Sequence, residues 1–194
     1  PNTIDTTVDY ELIDGKPDTF IITGDIDAMW LRDSTAQVWP YLPLVKKDKK
    51  IKNLIKGLIN RQAKCVIRDP YANSFYKDLS KISVHNKDIP TPIAGVHEQK
   101  WEVDSLCYVI RLSYKYYKLT GDNSIFDETW IKSSKLIYDT FLTEQRKDSK
   151  SPYRFIRNGT AMVDAPLFSG TGRPFKPNGM ICSMFRPSDD ATMY

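Results

Sequence analysis

The residues best equipped for chemistry are carboxylates placed beside an arginine or an indole. Asp189-Asp190 follows Arg186 and Ser188 in the string Phe185-Arg186-Pro187-Ser188-Asp189-Asp190-Ala191-Thr192. A helix capped by Ser188 would hold both carboxyls in its first turn, where the helix dipole lowers a carboxyl pKa. Burial and the adjacent like charge act the other way. One member of such a pair can stay protonated while the other pairs with a guanidinium, as a general acid requires. The bland alternative is a capping group with a surface aspartate pair.

Two further strings carry the same signature. Thr23-Gly24-Asp25-Ile26-Asp27-Ala28-Met29-Trp30-Leu31-Arg32-Asp33-Ser34 packs three carboxylates, one guanidinium and one indole into twelve positions. A guanidinium next to a carboxylate can hold adjacent hydroxyls by charge-assisted hydrogen bonds, and Trp30 or Trp101 can cover the apolar face of a sugar ring. A salt bridge and two core tryptophans would use the same residues. His97-Glu98-Gln99-Lys100-Trp101-Glu102-Val103-Asp104-Ser105-Leu106-Cys107-Tyr108 repeats the theme. Glu102 and Asp104 flank Val103 and would face different ways on a helix, so only one of them is expected in a pocket. Asp25-x-Asp27 lacks the remaining oxygen ligands of a calcium loop, so no metal site is expected.

The elements that must position these residues read as helices. Apolar residues recur at three- and four-residue steps from Lys49 to Ile67, with lysines between them, and Asp69-Pro70 ends the run. A shorter helix is expected from about Trp30 to Val38, stopped by Trp39-Pro40. Two more, from about Trp101 to Leu119 and from about Ser124 to Gln145, are joined by Thr120-Gly121-Asp122, with Gly121 as the C-cap. Residues 1–20 read as an irregular lead-in with a turn at Gly15-Lys16-Pro17-Asp18. Residues 70–97 read as a long loop, and 148–187 as a loop with a short strand pair, before a helix from Ser188.

Helix pairs without strand and helix alternation point to an all-α class. Asp33, Asp104 and Asp190 fall at three helix starts, so equivalent ends of successive hairpins would face one cavity. That is the plan of a toroid of helical hairpins, and the chain reads as a single domain over 1–194.

Composition narrows the partners. The chain has 194 residues with 41% hydrophobic, enough for a sizeable core, and a net charge of only +4. The run Lys46-Lys47-Asp48-Lys49-Lys50-Ile51-Lys52 reads as a solvated helix face, so no nucleic-acid partner is expected. No apolar stretch approaches the roughly 20 residues of a membrane span, and no membrane partner is expected. Cys65, Cys107 and Cys182 are too far apart for a zinc site or a disulfide framework, and they read as small buried hydrophobes. Asn158-Gly159-Thr160 is a glycosylation sequon of a kind common by chance.

Together the three strings resemble family 125 of the glycoside hydrolases, the metal-independent exo-α-1,6-mannosidases. They lie in the family's order, and the likeness covers essentially the whole chain. The resemblance implies an (α/α)6 toroid, no cofactor, and removal of terminal α-1,6-linked mannose with inversion. The partner would be a mannose-containing oligosaccharide or N-glycan. It places the general acid on Asp189 or Asp190 without deciding between them, and the general base on a Glu beyond Tyr194. The chain then corresponds to the N-terminal half of a catalytic domain, about three of six hairpins. Asp27, Trp30, Arg32, Asp33, His97, Trp101, Glu102, Asp104 and Arg186 are the expected substrate contacts. A non-catalytic carbohydrate-binding half-toroid, and another toroid enzyme such as a glucosidase or polysaccharide lyase, are the alternatives. The unpaired cysteines favour the cytoplasm and the resemblance an extracytoplasmic site, which leaves the compartment open; oligomeric state is not read from the sequence.

Overall fold

The computed structural model describes residues 2–147, 151, 153–158, 167–171 and 178–183. Arg186, Ser188, Asp189 and Asp190, and most of the expected 148–187 loop, lie outside the described residues.

Helices dominate, and the four expected are present within four residues of their expected bounds, the largest difference being the start of the last at Glu128 instead of Ser124. They are α2 (Leu31–Val38), α3 (Lys49–Arg68), α4 (Val103–Thr120) and α5 (Glu128–Glu144). α1 (Asn2–Thr7) precedes them and α6 (Leu167–Gly170) follows. Several boundaries have a chemical cause. Asp48 accepts hydrogen bonds from the backbone N–H groups of Lys50 and Ile51 to start α3, and Asp127 accepts from Trp130 N–H to start α5. Gly121 ends α4 with φ at +69°, the left-handed conformation in which glycine carries no Cβ penalty. Pro40 and Pro43 turn the chain after α2 into a 3-10 stretch, Trp39–Leu44.

The class departs from all-α in two small sheets. The first overturns the reading of residues 1–20 as irregular: β1 (Val8–Ile13) and β2 (Lys16–Ile21) form an antiparallel hairpin with Val8 opposite Ile21 and Ile13 opposite Lys16. Asp14 and Gly15 make its two-residue turn with φ of +51° and +75°, the handedness that matches strand twist. β2 lies on α3, and Gly57 permits the approach, because a Cβ there would sit 2.3 Å from Thr19 Oγ1 and 3.0 Å from backbone. Thr19 Oγ1 donates to Leu54 O across the contact at 2.8 Å.

The second sheet positions the site. β3 (Met29–Trp30), β4 (Ser74–Phe75) and β5 (Val96–Glu98) pair antiparallel in that order. β3 runs straight into α2, and β5 is followed after a few residues by α4, so the sheet sets the N-terminal ends of α2 and α4 close together. The expected 70–97 loop is thus interrupted by β4 and by the start of β5, and only the segment between them is without helix or strand. Hydrogen bonds tie it down: Gly95 N–H donates to Lys81 O, Ser83 Oγ donates to His97 O, and Arg68 donates to Ala94 O.

α2 packs on α4, and α3 packs on α5, giving two layers of helices with the β1–β2 hairpin on α3. Leu31, Leu58, Ile59, Phe75, Trp101, Leu106 and Tyr116 are buried between them. Gln62 stitches the layers, its amide donating to Leu31 O, Ser34 Oγ and Thr35 Oγ1 at 3.2, 2.9 and 2.9 Å. Truncating a core residue such as Leu58 to Ala would cost about 2–5 kcal/mol. No helix among the described residues is long and apolar enough to cross a membrane.

Candidate active site

Arg32, in the first turn of α2, gathers three carboxylates. Its Nη1 lies 3.0 Å from Glu102 Oε2 and 3.3 Å from Asp104 Oδ2, and its Nη2 lies 3.2 Å from Asp33 Oδ2. Asp33 and Asp104 belong to the first turns of α2 and α4, where the positive end of each helix favours a carboxylate.

Both Glu102 and Asp104 reach the same nitrogen, so the expectation that they face different ways is corrected. Glu102 is the residue before α4, with extended backbone (φ −127°, ψ 115°). Helical spacing therefore does not govern its side chain, and the break in conformation turns it to the same side as Asp104.

Burial grades this group. The Glu102 side chain is 1% exposed, whereas those of Asp33 and Asp104 keep 29% and 32% of their surface. One guanidinium thus serves three acidic groups, the deepest of them buried and the other two open to a ligand. Asp104 Oδ1 is buried with no hydrogen-bond partner among the described residues. Leaving such an acceptor unmet costs about 1–3 kcal/mol, and a hydroxyl donor from a ligand would remove that cost.

Trp30 and His97 form a wall beside the cage, ring centroids 5.0 Å apart. His97 is 8% exposed, shares a hydrogen bond with Ser74 Oγ through Nδ1 at 2.9 Å, and is boxed in edge-on by Tyr76 and His85 at 5.1 and 5.2 Å. Burial, which outweighs the attraction of Glu98, pulls its pKa down to about 4. At neutral pH it is an uncharged ring that holds Trp30 in place.

The remaining expected residues lie elsewhere. Trp101 is 1% exposed, packed against Tyr71 and Phe141 with its indole N–H donating to Cys182 O at 2.7 Å. It anchors the start of α4 from the core. Asp27 is set on the surface and pairs with Lys81 at 2.5 Å. Glu98 sits behind the wall, and burial would raise its carboxyl pKa. Lys100 and Arg157, with hydrogen bonds from Asn73 and Arg157, outweigh burial and hold it below the usual range. Sequence reasoning missed Ser74, Tyr76 and His85, which meet His97 only through the pairing of short strands and the loop folded over them. Among the described residues no group of three or more His, Cys, Asp or Glu is placed to hold a metal ion.

The arrangement can bind a polyhydroxylated ring: acceptors and one fixed guanidinium for hydroxyls, with an indole for a C–H face. Comparison with known proteins agrees with that chemistry. The chain is similar to a solved Streptococcus pneumoniae metal-independent alpha-mannosidase, seen in a non-productive complex with alpha-1,6-mannobiose. The identity is 44% and the TM-score 0.90, and the match covers 100% of this chain and 44% of that one. It is also 40% identical over 209 residues to the Meiotically up-regulated gene 157 protein of Schizosaccharomyces pombe, covering 98% of this chain and 41% of the relative. The chain thus spans less than half the length of either. A family profile described as metal-independent alpha-mannosidase, GH125, matches residues 1–194. By that match over its whole length, the chain belongs to glycoside hydrolase family 125.

Proposed function

We propose that this chain is the N-terminal part of an exo-acting α-1,6-mannosidase that hydrolyses terminal mannose from glycans with inversion and without a metal. The observation that carries the reading is the Arg32 cage, in which Asp33, Glu102 and Asp104 converge from two adjacent helix starts on one guanidinium. The family supports the reaction class, and the α-1,6-mannobiose held by the streptococcal relative supports the linkage.

In this reading the exposed edges of Asp33 and Asp104 accept hydrogen bonds from hydroxyls of the terminal mannose. Arg32 both donates to the sugar and fixes the three carboxylates in place, and Trp30, braced by His97, covers the ring. Arg186 completes the contacts. Asp189 or Asp190 gives its proton to the glycosidic oxygen as the bond from the anomeric carbon to that oxygen breaks. A Glu from the rest of the polypeptide removes a proton from the water that attacks the opposite face, about 6.5–9.5 Å from the acid. The products are β-mannose and the shortened glycan, and the acid and base have exchanged one proton each with the reactants. The two helix layers form one domain and part of an (α/α)6 toroid, closed by the remaining hairpins.

Full-length protein incubated with α-1,6-mannobiose and a chelator tests this directly by proton NMR. Early appearance of β-mannose is expected. Accumulation of α-mannose first would overturn inversion, and activity abolished by the chelator would overturn metal independence. Asp189→Asn and Asp190→Asn, assayed in parallel, are expected to leave one variant severely impaired. Two fully active variants would remove the acid from this pair.

A further inference from the structure

Trp101, buried away from solvent, is tied to the stretch of chain that leads into the Asp189-Asp190 string. Its indole N–H donates to Cys182 O at 2.7 Å, and Ser183 Oγ accepts from the Val103 backbone N–H at 3.4 Å. Val103 stands between Glu102 and Asp104, the two carboxylates that the start of α4 gives to the Arg32 cage. The string Phe185-Arg186-Pro187-Ser188-Asp189-Asp190 begins two residues after Ser183. Six residue steps separate Ser183 from Asp189, a reach of at most about 20–22 Å.

The stretch is held from two sides. On one, Cys182 N–H donates to Glu144 O at 2.8 Å, taking up a carbonyl that the last turn of α5 leaves without a helical partner. Gln145 Nε2 donates to Gly179 O at 2.8 Å nearby. The Glu144 carboxylate is fully buried and accepts from the Tyr71 hydroxyl, Ser151 Oγ and Arg146 Nε at 3.0, 2.6 and 2.9 Å, so this end of α5 is itself fixed. On the other side Trp101 cannot turn. Its backbone N–H donates to the Tyr153 hydroxyl at 2.9 Å, and that hydroxyl donates to Gln99 O at 3.1 Å. Tyr71, stacked on Tyr153 with centroids 5.0 Å apart, meets the Trp101 ring edge-on at 5.5 Å. A tryptophan that only fills a core needs apolar neighbours and any acceptor for its N–H. Here the acceptor belongs to the stretch that carries the acid candidates.

We propose that Trp101 is a positioning residue for the general acid: through the Cys182 carbonyl it fixes where the chain bearing Asp189 and Asp190 enters the site, against the same helix start that presents Glu102 and Asp104. The inference rests on the mannosidase reading above, with its acid in this pair. Loss of the indole N–H releases the chain at Cys182 and lets the acid drift from the glycosidic oxygen, while the cage keeps its own ties on α2 and α4.

The test compares kcat/KM of the full-length protein on α-1,6-mannobiose, whose leaving oxygen needs a proton, with that on 2,4-dinitrophenyl α-mannoside, whose phenolate departs without one. Trp101→Phe keeps an aromatic ring in the core and removes the N–H, and circular dichroism confirms that the variant folds. It is expected to lower the ratio of mannobiose to aryl mannoside by about tenfold, below the roughly 100-fold that a misplacement of about 1 Å can cost. A loosened core slows both substrates together, so a ratio within about twofold of the parent protein's overturns the assignment. If Trp101→Phe does not fold, 3-benzothienylalanine at position 101, which matches the indole in shape with sulfur in place of N–H, is read against the same two outcomes. A parent protein that cleaves neither substrate overturns the mannosidase reading and this inference with it, an outcome distinct from an unchanged ratio.

Discussion

Two ionic clusters in this molecule are built to opposite plans. In the first, Asp18 of β2 is 1% exposed and receives Arg61 Nε at 2.5 Å and Lys64 Nζ at 2.7 Å from α3. One carboxylate is shared by two cations, and both of its oxygens are engaged. In the second, Arg32 is shared by Asp33, Glu102 and Asp104, and Asp104 Oδ1 is left without a partner among the described residues. The first cluster satisfies its buried charge and fastens the hairpin to a helix. The second gathers three carboxylates on one guanidinium and leaves a buried acceptor unmet, an arrangement that costs stability.

Replacing the cation of each cluster should separate the two plans most sharply. Arg32→Met in the full-length protein is expected to lower kcat/KM on α-1,6-mannobiose on the order of 100-fold or more, because the carboxylates lose both their counter-charge and their geometry. Arg61→Met is expected to reduce stability without a comparable loss in kcat/KM at temperatures where the variant is folded. Equal kinetic losses in the two variants would show that the Arg32 cage has no closer link to substrate than the Asp18 cluster.

Removing the buried carboxylate is the next largest effect. Asp18→Asn leaves Arg61 without its buried partner, and urea denaturation is expected to show a loss of about 3 kcal/mol, the low end for breaking a buried pair. A loss below about 1 kcal/mol would mean that the cluster behaves like a surface pair.

The wall of the site supplies a pH test. His97 has a folded-state pKa of about 4 against 6.5 for the free side chain, chiefly through burial. The unfolded chain therefore binds the proton more readily between those values. Stability contributed by the neutral ring is complete above pH 6.5 and is lost as pH falls from 6.5 to 4. After allowance for partial solvent access, about 2 kcal/mol is at stake. Comparing urea midpoints of the parent protein and His97→Asn across that window should give a flatter profile for the variant. Parallel profiles would place the imidazole in water and remove it as a rigid support for Trp30.

How far the sequence revealed these regions follows from the range of the interactions involved. α3, α4 and α5 were legible because their apolar stripes span about five turns each, and Asp69-Pro70 and Gly121 mark the ends of the first two. The β1–β2 hairpin was missed although Asp14-Gly15 is a strong hairpin signal. Lys16, Pro17 and Asp18 are poor strand formers, and Tyr10 and Leu12 point largely to solvent at 41% and 62% exposure, so the alternation marks no buried face. β3, β4 and β5 are two or three residues each, too short for any period to register. At the site, the adjacency of Arg32 and Asp33 could be read directly. The joint arrival of Glu102 and Asp104 could not, since it depends on one extended residue before α4. Trp101 looked like a sugar platform because an indole beside acidic residues has that composition, and only packing shows it buried at 1% exposure against Tyr71 and Phe141.

The smallest effect is also the most discriminating, because its sign distinguishes the two plans. Asp104→Asn keeps the side chain's shape but removes one of three negative charges crowded on Arg32, and its amide N–H₂ offers donors where a bare acceptor stood. If the cage is over-supplied with acceptors for the sake of a ligand, the variant should be as stable as the parent protein or more stable by about 0.5–1 kcal/mol, while its affinity for mannose or mannobiose falls. A structural cluster responds the other way, as Asp18→Asn should, with lost stability and unaffected ligand binding. Paired urea denaturation and calorimetric titration on the two asparagine variants measure both quantities. A clear destabilisation of Asp104→Asn with unchanged affinity would make the Arg32 group an ordinary buried salt-bridge network.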